Sequence, residues 1–311
     1  MLRRMLLAAS DSDRLRQLIT SAPVTRGVVQ RYVAGETAGQ AVAVTRDLLS
    51  SGLLVTLDQL GEDTVDPDQA AARTAGYVAL LGQLATAGLA QGGRAEVSVK
   101  PTAVGLGLAE HGAKTATENI ARIAVAARNA GTTVTVDMEE HKWVDATLRI
   151  VAELRADFPD LGCVVQSYLR RTAADCAALT TPGSRVRLCK GAYDAPETVA
   201  YPARRDVDLS FARSLQVLMN GPGYPMIATH DPRLIRIAAA QAALTAREPG
   251  SFEFQMLYGV RPSEHRRLAS TGAQMRVYVP YGSDWYSYLV RRLAERPANL
   301  AFFLRSLAST R

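Results

Sequence analysis

Cysteine is scarce in this sequence. Its 311 residues include three, Cys163, Cys176 and Cys189, with no CxxC spacing. An odd count without paired spacing excludes a disulfide framework and a cysteine-based zinc site, and fits buried free thiols in a reducing compartment. The four histidines are too scattered to predict a metal site. No apolar run reaches the ~18 residues of a spanning helix. The short basic and apolar stretch 1–9 is too brief for a signal peptide and is soon followed by Asp11 and Asp13. Runs of five basic residues are missing too, which sets nucleic-acid binding aside despite a net charge of +6 and a pI near 9.4. The dispersed positive charge reads as solvated surface, or as attraction to an anionic membrane surface. GxGxxG, P-loop, HExxH and GxSxG motifs are absent, as are low-complexity segments and an obvious domain linker.

What remains is an ordinary globular composition, 48% hydrophobic and 21% charged, with a repeated pattern in it. Eight short β-type runs cover residues 53–60, 95–101, 133–138, 163–168, 186–192, 226–230, 252–257 and 275–282. The first, Leu53-Leu54-Val55-Thr56-Leu57-Asp58, is apolar almost throughout, as expected of a strand covered on both faces. Helical segments are expected at about 68–90, 113–130, 144–157, 172–179, 202–219, 232–246, 262–270 and 285–295. Pro232 and Pro262 sit one step into their helices, where a missing N–H costs nothing. Strand–helix alternation repeated eight times predicts an α/β fold, a (β/α)8 TIM-type barrel. Residues 1–50 would form an N-terminal helical flank, with helical spacing at 11–19 and 36–50, and residues 51–311 the barrel domain.

In such barrels the active site lies at the C-terminal ends of the strands. Asp58, Lys100, Asp137, Gln166, Lys190, His230, Gln255 and Tyr278 lie at or near those ends. Asp137 closes a run apolar enough to be inner barrel, so its carboxylate needs a partner; Lys100, Arg291 or Tyr278 would serve, either in a site or as a structural ion pair. Along Arg187-Leu188-Cys189-Lys190-Gly191, Arg187 and Cys189 should point one way, Leu188 and Lys190 the other. Gly191 allows close backbone approach to a ligand. In the last helix Tyr288, Arg291, Arg292 and Glu295 share one stripe, which is either an anion clamp or a solvated face with an Arg291–Glu295 pair.

Nine stretches then converge: LDQLGED (57–63), EVSVKPT (96–102), VDMEEH (136–141), VVQSYL (164–169), RLCKGAY (187–193), ATHD (228–231), FEFQMLYG (252–259), VYVPYG (277–282) and YLVRRLAER (288–296). In order, each at a strand end or on the last helix, they make the chain resemble the proline dehydrogenase family of (β/α)8 flavoenzymes. The resemblance implies noncovalent FAD, oxidation of L-proline to Δ1-pyrroline-5-carboxylate with hydride passing from proline C5 to flavin N5, and electron delivery to a membrane quinone. Carried over by position, Arg291, Arg292 and Lys100 would bind the substrate carboxylate. Asp137 and Tyr278 would shape the pocket, with Tyr288 and Leu257 near the ring. Arg187 would sit by flavin N5, so that Asp137 and Arg187 are the catalytic candidates. Met138, Gln166, Cys189 (backbone), Lys190, Gly191, Ala192, Thr229 and His230 would hold FAD, and Glu62 would pair with Arg291 as a gate. Asp194 and Cys189 depart from the family's usual aromatic and valine. No metal is implied, and the chain resembles the monofunctional form. The implied location is cytoplasmic, with peripheral docking at the inner face of the membrane. A 4-hydroxyproline oxidase of the same fold is the second reading, against which Tyr278 counts. A barrel that binds an anion without chemistry is the third.

Overall fold

A computed structural model describes residues 29–286 and 288–289. Helix α1 (Ala38–Ser50) begins at a reciprocal cap. The Thr37 hydroxyl accepts from the Gln40 backbone N–H, and the Gln40 side-chain oxygen accepts from the Thr37 N–H, which satisfies donors the first turn leaves free. The alternation then runs β1 (Leu54–Gln59), α2 (Pro67–Thr86), β2 (Ala95–Val99), α3 (Gly112–Asn129), β3 (Val134–Val136), α4 (Val144–Leu154), β4 (Gly162–Gln166) and α5 (Thr172–Leu179). It continues through β5 (Arg185–Cys189), α6 (Arg204–Asn220), β6 (Tyr224–Ala228), α7 (Pro232–Leu244), β7 (Glu253–Leu257), α8 (Pro262–Ser270) and β8 (Met275–Tyr281). All eight strands are parallel and close into a barrel in sequence order, β8 pairing with β1. The expected fold class is therefore the observed one. Pro67, Pro232 and Pro262 each occupy a first helical turn.

Period-two alternation sorts the strand residues. Val55, Leu57, Val97, Val99, Val134, Val136, Val186, Leu188, Val277 and Val279 are buried in the main hydrophobic cluster, under the helices. The opposite face is unusual. Barrel interiors are commonly filled by branched apolar side chains, whereas here Thr56, Asp58, Glu96, Ser98, Thr135, Arg185, Arg187, Glu253, Gln255, Arg276 and Tyr278 meet one another across the lumen.

The N-terminal flank has a definite place. Helix α1 packs against β1 and β8, filling the peripheral position between the last strand and the first. The segment before it runs along the end of β8: Ala34 N–H donates to Pro280 O and Gly282 N–H to Gly35 O, both at 2.9 Å. A second apolar cluster joins Tyr32, Val33 and Leu60 to Trp285, Tyr286, Tyr288 and Leu289, the start of the last helix. Trp285 Nε1 donates to Glu36 at 2.9 Å. Leu60 and Trp285 follow the C-terminal ends of β1 and β8, so this cluster sits at the barrel mouth. Gly259 lets Arg31 approach there: at φ 72° a Cβ would fall on the Arg31 carbonyl oxygen. The expected helix at 11–19 lies outside the described residues.

Candidate functional site at the carboxyl ends of the strands

Two buried ion pairs organise the mouth. Lys100, one residue past β2, places its ammonium 2.7 Å from both Asp58 carboxylate oxygens. Burial opposes its charge, but Asp58, with Asp137 and Glu62 behind it, outweighs burial and holds the Lys100 pKa above the usual lysine range. Asp137, one residue past β3, accepts from Arg187 Nη1 at 2.7 Å on one oxygen and from the Tyr278 hydroxyl at 2.8 Å on the other. The Arg187 guanidinium lies 5.2 Å from the Tyr278 ring centroid, a cation–π distance. Burial, then the charges of Asp137 and Asp58, push the Tyr278 phenol well up, so it stays a donor. Of the partners expected for Asp137, Tyr278 is one; Lys100 instead binds Asp58, and Arg291 lies outside the described residues.

Arg187 is 4% exposed on its side chain and its other contacts are also fixed. Nε donates to Gln255 Oε1 at 2.5 Å and Nη1 also to Ser98 Oγ at 2.9 Å. Nη2 has no hydrogen-bond partner, its nearest carboxylate being Glu96 at 3.8 Å. A second buried orphan lies at the end of β4. Gln166 Nε2 donates to the carbonyls of Met138 and Glu139, at 2.7 and 3.0 Å, while Gln166 Oε1 has no partner. Buried polar groups without partners are exceptional. Gly191, at φ 93°, faces this oxygen: a Cβ there would come within 3.0 Å of it and collide with the Tyr168 ring. A bare backbone turn beside an unmet amide oxygen is an arrangement that a polar, planar group with a hydrogen-bond donor would complete, and the flavin that the sequence resemblance implies carries such an edge.

The other candidate cofactor residues are distributed around that turn. Cys189 O accepts from Ser167 N–H and Lys190 O from Tyr168 N–H, so the 189–191 backbone is held to the end of β4. Lys190 Nζ pairs with Asp208 at 2.5 Å and Asp231 at 3.1 Å. Asp231 also caps α7 from its side chain, and Arg233 then Lys190 pull its pKa well below the usual carboxylate range against burial. Thr229 Oγ1 accepts from Asp231 N–H, and His230 Nε2 from Leu257 N–H at 2.9 Å. Met138 is buried, Ala192 exposed and Leu257 half-buried. Tyr288 is buried in the mouth cluster. Glu62 is half-buried on the loop after β1; its expected partner Arg291, and Arg292, lie outside the described residues. The three cysteines are free. Burial pushes Cys163 and Cys176 up to about 12 and Cys189 to about 11, so none is a ready thiolate.

Glu139 carries no expectation from the sequence, yet it ties three strand ends together. Its oxygens accept from Thr102 N–H at 2.9 Å and Thr102 Oγ1 at 2.6 Å. Thr102 in turn accepts from Asp63 and Thr64 N–H groups on the loop that carries Glu62. Burial pushes the Glu139 carboxyl from 4.5 up to about 7, against the Thr102 bonds. Its stabilising contribution is therefore fully present below about pH 4.5 and lost as pH rises through about 7, because ionising it in place costs more than in the open chain. At ~1.4 kcal/mol per unit, the loss is on the order of 3 kcal/mol. Denaturant unfolding of wild type and Glu139→Gln from pH 5 to 8 should show the variant gaining relative to wild type across that window. A constant gap would refute the raised pKa.

Gly191→Ala gives a second check. The left-handed φ costs about 1–2 kcal/mol, and the Tyr168 collision adds overpacking of about 1–3 kcal/mol. Lower thermal stability is expected, together with loss of the flavin that the sequence resemblance implies; retained flavin at wild-type content would remove the turn from the residues that hold it.

Fold and site together define an α/β-barrel protein with two buried ion pairs at the carboxyl ends of its strands, the position of enzyme sites in this architecture. The sequence pattern of the proline dehydrogenase family matches residues 41–305, and the chain belongs to that family. Proline dehydrogenase 1 of Bacillus subtilis subsp. natto is 38% identical over 308 residues, covering 99% of both chains. Proline dehydrogenase of Deinococcus radiodurans is 35% identical, covering 98% of this chain and 97% of its own. Among solved structures, proline utilization A (PutA) from Bdellovibrio bacteriovorus inactivated by N-propargylglycine superposes with a TM-score of 0.80 at 26% identity. The match covers 87% of this chain and 33% of that one, so this chain spans about a third of that protein.

Proposed function

We propose that this chain oxidises L-proline to Δ1-pyrroline-5-carboxylate with noncovalently bound FAD, and passes the electrons to a membrane quinone. The observation that carries this reading is the pair of buried cations at the barrel mouth, Arg187 on Asp137 and Lys100 on Asp58, in a chain of this family. When bound, FAD supplies the hydride acceptor. Its holders would be Arg187, Gln166 Oε1 and the turn at Gly191, with Met138, Cys189, Lys190, Ala192, Thr229 and His230 around them.

The substrate side follows from charge. Asp58 already neutralises Lys100, so Lys100 orients a carboxylate more than it attracts one. Net attraction then falls to Arg291 and Arg292, whose planar forks suit a carboxylate. The Asp137–Tyr278 bond fixes one wall of the pocket, and Leu257 and Tyr288 supply apolar surface to the pyrrolidine ring. Glu62 would close over the site by pairing with Arg291. No described helix is long and apolar enough to cross a membrane, so contact with a membrane acceptor is proposed as peripheral. Salt-insensitive partition to anionic vesicles would remove its electrostatic basis.

The test is an anaerobic visible spectrum before and after L-proline. A flavin band near ~450 nm that bleaches with proline supports the reading. A band indifferent to proline but bleached by 4-hydroxyproline would transfer the assignment to that substrate. Absence of flavin after FAD is supplied would leave an anion-binding barrel.

A further inference from the structure

We propose that Gln255 is a positioning residue that fixes the Arg187 guanidinium, its own amide being oriented by Glu253 from the floor of the barrel. A glutamine amide has two faces of opposite polarity, and nothing in its shape chooses between them. Here both neighbours choose. Gln255 Nε2 lies 2.5 Å from Glu253 Oε1, a carboxylate that only accepts. The carbonyl oxygen must then face Arg187, and it lies 2.5 Å from Nε, which only donates. Glu253 is itself clamped by Arg276, Nε at 2.7 Å and Nη2 at 3.1 Å. Orientation thus passes from Arg276 through Glu253 and Gln255 to Arg187.

The consequence lies at the far edge of the guanidinium. With Nε on Gln255 and Nη1 shared by Ser98 and Asp137, the planar group cannot rotate, and Nη2 is left buried and unmatched. That holds Nη2 on the side of Glu96, 3.8 Å from its carboxylate, and fixes where the charge of the guanidinium sits. The tie between Gln255 and the bound flavin rests on the function proposed above, whereas the positioning of Arg187 stands without it.

The experiment pairs a flavin-independent readout with a flavin readout in Gln255→Met, which keeps the side-chain length and removes the acceptor. In 15N-labelled protein, the Arg187 Nε–H resonance, assigned by its loss in Arg187→Lys, should shift and exchange with water at least tenfold faster. In holoprotein the flavin potential should fall by at least tenfold in the reduction equilibrium, about 30 mV for two electrons, with proline KM within twofold of wild type. Should Gln255→Met fail to fold, Gln255→Glu serves. Protonated, it presents the same carbonyl to Arg187 and a donor to Glu253, so the potential should match wild type at low pH and drop as the added carboxyl ionises. An unmoved Nε–H resonance in Gln255→Met, or a Gln255→Glu potential that follows wild type at every pH, overturns the proposal. A moved resonance with no flavin bound in wild type would keep the positioning and overturn only the flavin reading.

Discussion

Arg276→Met should destabilise the barrel by about 3–5 kcal/mol, the usual cost of removing one member of a buried pair. Arg276 is 2% exposed and pairs two-handed with Glu253. It also donates to the carbonyls of Val55 at 2.9 Å and Gly93 at 3.1 Å, so one side chain on β8 ties β1 and the turn before β2 to it, at the seam where the barrel closes. Burial would raise Glu253, but Arg276 and Arg185 outweigh it and hold that carboxyl ionised. Removing Arg276 leaves the charge in an interior that cannot hydrate it. The double variant Arg276→Met, Glu253→Leu should therefore be more stable than the single variant, since replacing a whole buried pair by apolar groups is commonly neutral or better. Chemical denaturation of the three proteins reads this directly. A double variant weaker than the single one would show that Glu253 is not stranded without Arg276, because Gln255, Tyr224 and Arg185 still hold it.

The barrel was legible because a strand buried on both sides writes an apolar run, and glycine or proline punctuates its ends. The expected run 252–257 and the strand Glu253–Leu257 differ by one residue, and helices α5 and α8 coincide with their expected ranges. The run 133–138 shrinks to Val134–Val136 because Asp137 and Met138 turn out of the ladder to the mouth after one last bond, Asp137 N–H to Val99 O. Placing Asp137, Lys100 and Tyr278 near one mouth followed from strand position alone. Their partners did not, because pairing depends on which strands face each other across a closed lumen. Asp58 and Gln255 were visible as strand ends, but Lys100 just past β2 finds Asp58 on β1, and Arg187 on β5 finds Gln255 on β7. One signal was available and unread. Glu96 and Ser98, Arg185 and Arg187, Glu253 and Gln255, and Arg276 and Tyr278 are each two apart, which puts both members of every pair on the same face of a strand. Polar residues at period two in four apolar strands announce an ionic lumen. Glu139 had no such signal, since it follows its strand and its role comes from a loop 37 residues away.

Arg187→Met should lower the rate at which proline reduces the bound flavin by about 10²–10³, the loss seen when one fixed donor is removed from a site where charge develops. The guanidinium is the meeting point of every buried group around it. Its removal takes from Asp137 the donor at 2.7 Å and leaves Tyr278 alone on that carboxylate, strips Gln255 Oε1 and Ser98 Oγ of a partner, and withdraws the cation from the Tyr278 ring. Thermal stability should fall with it, because Asp137 and Glu96 then share fewer positive neighbours in the same lumen. Arg187→Lys separates charge from geometry. A single ammonium keeps the charge but cannot reach Gln255, Ser98 and Asp137 at once, which a fork does. If charge alone matters, the lysine variant should recover nearly all of the rate. If the orientation set by Gln255 and Asp137 matters, it should remain at least tenfold below wild type while restoring most of the stability. Stopped-flow reduction by proline, with melting followed on the same samples, distinguishes these outcomes. A reduction rate unchanged in Arg187→Met would place the guanidinium outside the chemistry and leave it a structural member of the ionic lumen.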